Sequence, residues 1–83
     1  MFEGKKILIT GGSGYLGRAL SRRLLKENAH SIRIFSRNES KQIDMQNEFE
    51  DNPKLRFFIG DIRDRERLFR AMEGVNVVFH TAA

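Results

Sequence analysis

The chain contains no cysteine. That absence excludes disulfides and thiolate metal sites, and it fits a cytoplasmic protein. No apolar run approaches the roughly 20 residues of a membrane-crossing helix. The start, Met1-Phe2-Glu3-Gly4-Lys5-Lys6, passes straight into a short strand-like run and lacks the longer apolar core of a secretory signal. No linker or low-complexity tract divides the chain, and its 83 residues make at most one small domain. A chain of this size buries a modest fraction of its surface, so its stability margin is expected to be thin. Hydrophobic residues at 40% and charged residues at 31% indicate a soluble, folded chain rather than a disordered one. There are 15 Lys and Arg against 11 Asp and Glu, a formal charge of +4. This mild excess suits an anionic ligand and is equally the ordinary charge of a solvated surface. The basic residues are scattered without interleaved aromatics, so no nucleic-acid partner is expected, and no membrane partner either.

Four short apolar runs are present: Ile7-Leu8-Ile9, Ile32 with Ile34-Phe35, Leu55 with Phe57-Phe58-Ile59, and Val75 with Val77-Val78-Phe79. Their brevity and their β-branched and aromatic content predict strands. Between them lie helical spacings: Leu16, Leu20 and Leu24; Met45 and Phe49, joined by Ile43; and Leu68 and Met72. Ser36 with Glu39 reads as a capping box, Asp64 as a cap of the third helix, and Asn52-Pro53 as the stop of the second. The order β-α-β-α-β-α-β with short connections implies an α/β fold, a Rossmann-like parallel sheet in strand order 3-2-1-4 with right-handed crossovers. The chain, residues 1–83, is then a single partial dinucleotide-binding domain cut off after strand 4. The unpaired, Val/Phe-rich edge of that strand predicts self-association, most simply as a two-fold homodimer.

The sharpest signal is Ile7-Leu8-Ile9-Thr10-Gly11-Gly12-Ser13-Gly14-Tyr15-Leu16-Gly17. Three glycines at G-x-x-G-x-x-G spacing follow a strand and open an amphipathic helix, the context a phosphate-binding turn requires. Gly11 makes the turn off the strand, Gly14 admits a pyrophosphate without a Cβ in the way, and Gly17 packs helix on strand. Free N–H groups at the helix start favour the phosphates. Tyr15 and Leu16, in that first turn, are therefore candidate cofactor contacts. The alternative is a turn with no ligand.

Beyond the second strand, where NAD-preferring sites carry an acidic residue, this chain has Ser36-Arg37-Asn38. A guanidinium suits a 2′-phosphate, Ser36 adds a hydrogen bond, and Lys41 lies one turn on. This points to NADP. Glu39 keeps NAD in view, and a solvated helix start is the plain alternative for Arg37 and Lys41. Asp61-Ile62 follows the third strand, where a carboxylate accepts from an adenine amino group and Ile62 packs on the base; the alternative is a turn aspartate. Ala82 and Ala83, past the fourth strand, are small enough to let a cofactor lie against the backbone.

With these stretches placed, the chain resembles the extended short-chain dehydrogenase/reductase superfamily, and more closely the CapD-like nucleotide-sugar 4,6-dehydratases and epimerases of polysaccharide biosynthesis. The resemblance runs through the glycine stretch from Lys6, then Ile34-Phe35-Ser36-Arg37-Asn38-Glu39, then Phe57-Phe58-Ile59-Gly60-Asp61-Ile62-Arg63-Asp64, then Val77-Val78-Phe79-His80-Thr81-Ala82-Ala83. It implies an NADP-linked enzyme acting on a UDP-activated amino sugar: oxidation at C4, loss of water and return of the hydride. It also implies that Gly11, Gly14 and Gly17 hold pyrophosphate. Ser36 and Arg37 would then hold the 2′-phosphate, Asp61 and Ile62 adenine, and Ala82 the nicotinamide side.

The superfamily's Tyr-x-x-x-Lys pair is missing: the one tyrosine, Tyr15, is followed four residues on by Ala19. His30 and His80 lack partners for a metal or a nucleophile, so no catalytic and no metal-binding residue is assigned. The expected function is the NADP-binding front of a nucleotide-sugar dehydratase or epimerase, incomplete as a catalyst. A UDP-sugar partner belongs to the full-length parent alone. The alternatives are a self-associating structural module with a vestigial cofactor site, and a nucleotide-binding regulatory module without chemistry.

Overall fold

The computed structural model describes residues 1–81. The elements are β1 (Lys6–Thr10), α1 (Tyr15–Lys26), β2 (Ser31–Ser36), α2 (Glu39–Glu48), β3 (Leu55–Ile59), α3 (Arg65–Met72) and β4 (Val77–His80). The strands form one sheet in the order β3-β2-β1-β4. Every pairing is parallel, as expected of strands joined by helical crossovers.

Side chains alternate across the strands and divide the core in two. Ile7, Ile9, Ile32, Ile34 and Leu55 meet Leu24 of α1 and Met45 of α2 on one face. On the other, Leu8 and Phe35 meet Ala71 of α3, with Phe58, Leu68 and Val75 at the margin. Ile7, Leu8 and Ile9 are wholly buried because β1 is central and covered on both sides.

Four local expectations are corrected. The cap of α2 is Asn38, whose side chain accepts from the Lys41 N–H, and not Ser36, which lies within β2 and turns its hydroxyl to other partners. The helix stops at Glu48, before Asn52-Pro53, because Glu50 and Asp51 take left-handed conformations. Leu16 is exposed, since the inward face of α1 runs through Gly17, Ser21 and Leu24. Ile43 is exposed, and Gln42 takes the buried place beside Met45. Asp64 caps α3 as expected, accepting from the Arg67 N–H.

Candidate functional site

The carboxyl ends of β1, β2 and β3 open on one cleft of about 630 Å³. Gly11, Ser13 and Gly14 line it from the glycine loop, Ser36, Arg37, Asn38 and Lys41 from the end of β2 and the start of α2, and Gly60, Asp61, Ile62 and Arg63 from the end of β3. Ligand sites of open α/β sheets lie at such carboxyl ends because the helix starts and loops gather there.

The glycine loop is shaped by close contacts. Gly11 has φ +73°, the left-handed region, and its N–H still donates to the Phe35 carbonyl, so the chain turns sharply while remaining tied to β2. Gly17 packs its backbone on Gly12: a Cβ there would lie 2.3 Å from the Gly12 Cα and carbonyl oxygen. Gly14 caps α1 with no side-chain hydrogen bond, and a Cβ there would meet only the Gly11 carbonyl oxygen, at 3.6 Å. The N–H groups of the first turn of a helix have no acceptor within it.

Of the expected site residues, Gly11, Gly14, Ser36, Arg37, Lys41, Asp61 and Ile62 meet in the cleft. Three do not line it. Tyr15 and Leu16 point outward, 92% and 61% exposed, so a role for them rests on their backbone N–H groups. Gly17 is buried where α1 packs closely on Gly12, the close approach expected of it. Ala82 lies outside the described residues.

The sequence reading missed several members. Ser13 donates its hydroxyl to Ser36 Oγ at 3.0 Å, and Gln42 Nε2 donates to the same oxygen at 2.8 Å and to the Phe58 carbonyl at 2.9 Å. Gly60 lies against Phe35, where a Cβ would come within 2.7 Å of Cζ. The glycine directly after the third apolar run was the available signal for it. Arg63 donates from Nη2 to Asp61 Oδ2 at 2.8 Å, and Arg37 Nη1 stands 3.6 Å from the same oxygen. At the ends of β1 and β4, Thr10 Oγ1 and His80 Nδ1 are 2.5 Å apart, and Thr81 Oγ1 donates to the Thr10 carbonyl. Among the described residues no group of three or more His, Cys, Asp or Glu gathers as a metal site.

Hydrogen bonds from the Arg63 side chain and backbone N–H, aided by the charges of Arg63 and Arg37, hold the Asp61 carboxyl down to about 2. A carboxylate depressed in the folded state contributes stability above its ordinary value of 3.8 and loses that contribution as pH falls toward 2. A carboxyl-detected NMR titration should therefore give Asp61 a midpoint near 2, and Arg63→Ala should move it toward 3.8. A midpoint near 3.8 in the unsubstituted chain would remove the clamp.

A sheet that ends on a glycine turn against a bare helix start, with a polar cleft across the next two strand ends, is an arrangement that the short-chain dehydrogenase/reductases share with other doubly wound folds. This is a Rossmann-type α/β class. The chain belongs to the polysaccharide biosynthesis protein family, whose sequence pattern matches residues 7–83. A Rickettsia rickettsii protein named UDP-glucose 4-epimerase is 49% identical over all of this chain and 25% of its own length. The chain thus spans about a quarter of the curated relatives it matches. The solved structure of Pen from Bacillus thuringiensis is 44% identical, with a TM-score of 0.95 over 99% of this chain and 26% of that one. The Bordetella bronchiseptica enzyme WbmF, solved with NAD+ and UDP, is 25% identical, with a TM-score of 0.79 over 98% of this chain and 23% of that one.

Proposed function

We propose that the chain is the NADP-holding front of a nucleotide-sugar dehydratase or epimerase of polysaccharide biosynthesis, with the reacting groups contributed by other parts of such an enzyme. One observation carries the cofactor reading. The cleft beyond β2 is lined by Arg37, Lys41 and Arg63 against a single carboxylate, Asp61, and no acidic side chain stands at the end of β2 itself. Ser36 Oγ accepts from both Ser13 and Gln42, so its own proton is left to donate to a phosphate oxygen. The N–H groups of Tyr15 and Leu16 and the open side of Gly14 suit the pyrophosphate. Asp61 and Ile62 line the same cleft and are assigned to adenine by resemblance, as Ala82 is to the nicotinamide side. A bound nicotinamide dinucleotide supplies hydride acceptance and return. The residues of this chain bind and orient it. The proton transfers of sugar oxidation need a donor and acceptor that these 83 residues lack, since no Tyr-x-x-x-Lys pair is present. A cytoplasmic location belongs to the same proposal and rests on the absence of cysteine. Among the described residues no helix is long and apolar enough to cross a membrane.

Calorimetric titration with NADP and with NAD at low salt tests the reading. NADP should bind more tightly. Arg37→Ala should weaken NADP by about tenfold to a hundredfold and NAD by less than about threefold, the loss of one charge-assisted hydrogen bond to the 2′-phosphate. Equal losses for both would remove that role.

A second reading, a self-associating structural module, is favoured by β4. This strand pairs with β1 along one edge, and Val78 within it stays 45% exposed. In that reading two copies pair through β4 as a homodimer. Light scattering should then give about twice 9.6 kDa, and a monodisperse 9.6 kDa species would end it.

A further inference from the structure

Arg18 follows the last glycine of the loop and does not line the main cleft. Its Nε donates to the Ser13 carbonyl at 2.9 Å, its Nη2 to the Lys41 carbonyl at 3.0 Å and its Nη1 to Glu48 Oε1 at 2.6 Å. One planar, rigid group therefore ties the glycine loop to both ends of α2. The Arg18 side chain is only 23% exposed, and its partners include two main-chain carbonyls, so its charge is turned toward the protein rather than toward a ligand. Glu48 also takes Arg22, and hydrogen bonding to Arg18 leads the effects that lower its carboxyl pKa, keeping it ionised as an anchor.

The consequence concerns how the two halves of the cleft are held in register. Met45 and Gln42 bury one side of α2, while its first turn carries Lys41 at the cleft wall, next to Asn38 and Arg37. In front, the halves are linked by the Ser13–Ser36–Gln42 hydroxyl and amide chain. Behind, Arg18 is the link. We infer that Arg18 is a positioning residue for dinucleotide selection: through the Ser13 and Lys41 carbonyls it fixes the distance between the pyrophosphate turn and the Arg37–Lys41 wall. A 2′-phosphate, which must reach that wall while its pyrophosphate rests on the turn, depends on this distance. A ligand without the 2′-phosphate depends on it less. The inference rests on the NADP reading above.

The test compares Arg18→Met, Arg18→Lys and Arg22→Met in the full chain. Arg22 shares Glu48 and stacks on Phe49 at 4.6 Å, yet its side chain makes no hydrogen bond to Ser13 or Lys41. Arg18→Met should lower the ratio of NADP to NAD affinity by about tenfold. Arg18→Lys, able to restore one contact but not the fork, should lie between, and it serves in place of the Met variant should that one not fold. Arg22→Met should lower thermal stability while leaving the ratio unchanged. In the ligand-free chain, amide hydrogen exchange at Gly11–Gly14 and Lys41 should quicken in the Arg18 variants and not in Arg22→Met. An unchanged ratio, an unchanged exchange rate, or an equal change in Arg22→Met overturns the inference. Should the unsubstituted chain bind neither dinucleotide, the functional reading falls, and unchanged exchange rates still overturn the role given to Arg18.

Discussion

Gly17→Ala should destabilise the fold sharply, although the substitution adds a single methyl group. Within a helix, alanine is favoured over glycine by about 1 kcal/mol, so propensity alone predicts stabilisation. The tertiary contact reverses the sign. The new Cβ would lie 2.3 Å from both the Cα and the carbonyl oxygen of Gly12, atoms of a main chain that cannot rotate aside. Gly12 is itself in a confined place, since a Cβ added there would lie 3.0 Å from the side chains of Ile9 and Ile34, both wholly buried. The remaining response is for α1 to lift from β1, which would uncover Leu24 and loosen the larger core cluster. Overpacking of this kind costs about 3 kcal/mol or more. A domain of this size has a total stability of roughly 4–12 kcal/mol, so that loss takes much of it. Thermal unfolding followed by circular dichroism checks the prediction. A midpoint within a few degrees of the unsubstituted chain would show that the helix adapts.

Gly14→Val should do the reverse: keep the fold and remove dinucleotide binding. The backbone at Gly14, φ −81° and ψ −178°, is extended and open to any residue, and the added Cβ would meet only the Gly11 oxygen at ordinary van der Waals distance. The valine methyl groups would instead stand at the start of α1, over the N–H groups assigned to the pyrophosphate. Losing two charge-assisted hydrogen bonds there lowers affinity by about a hundredfold or more. The pair of substitutions, three residues apart in one motif, separates its two tasks. Calorimetry on a Gly14→Val chain with unchanged melting reads the ligand role alone. Undiminished binding would move the phosphate site elsewhere.

Much of the site was legible because the residues that make it lie next to strand ends. Asp61-Ile62 follows the third apolar run and Ser36-Arg37 the second, so parallel strands of similar length bring them to one edge. Asp64 was legible as a cap because its partner, the Arg67 N–H, is three residues away. The Leu16-Leu20-Leu24 stripe misled at its first member. A step of four residues drifts around a helix of 3.6 per turn, and the packing of α1 on the glycine loop selects Gly17 and Ser21 for the inward face. Ser36 misled as a cap because the spacing to Glu39 fits a capping box, while in the fold its hydroxyl is taken by Ser13 and Gln42.

The sequence by itself determined the order of elements, the parallel sheet, the glycine turn and the absence of a Tyr-x-x-x-Lys pair, since each depends on residue type and near-neighbour spacing. The tertiary structure alone decided that Gly12 and Gly60 are needed for close approach, that Asp61 is held by Arg63 and Arg37, and that Arg18 binds the loop to α2. Several of these depend on groups well separated in the chain, up to 30 residues for Arg18 and Glu48. No local pattern encodes such meetings, because the packing of helices on a sheet sets them.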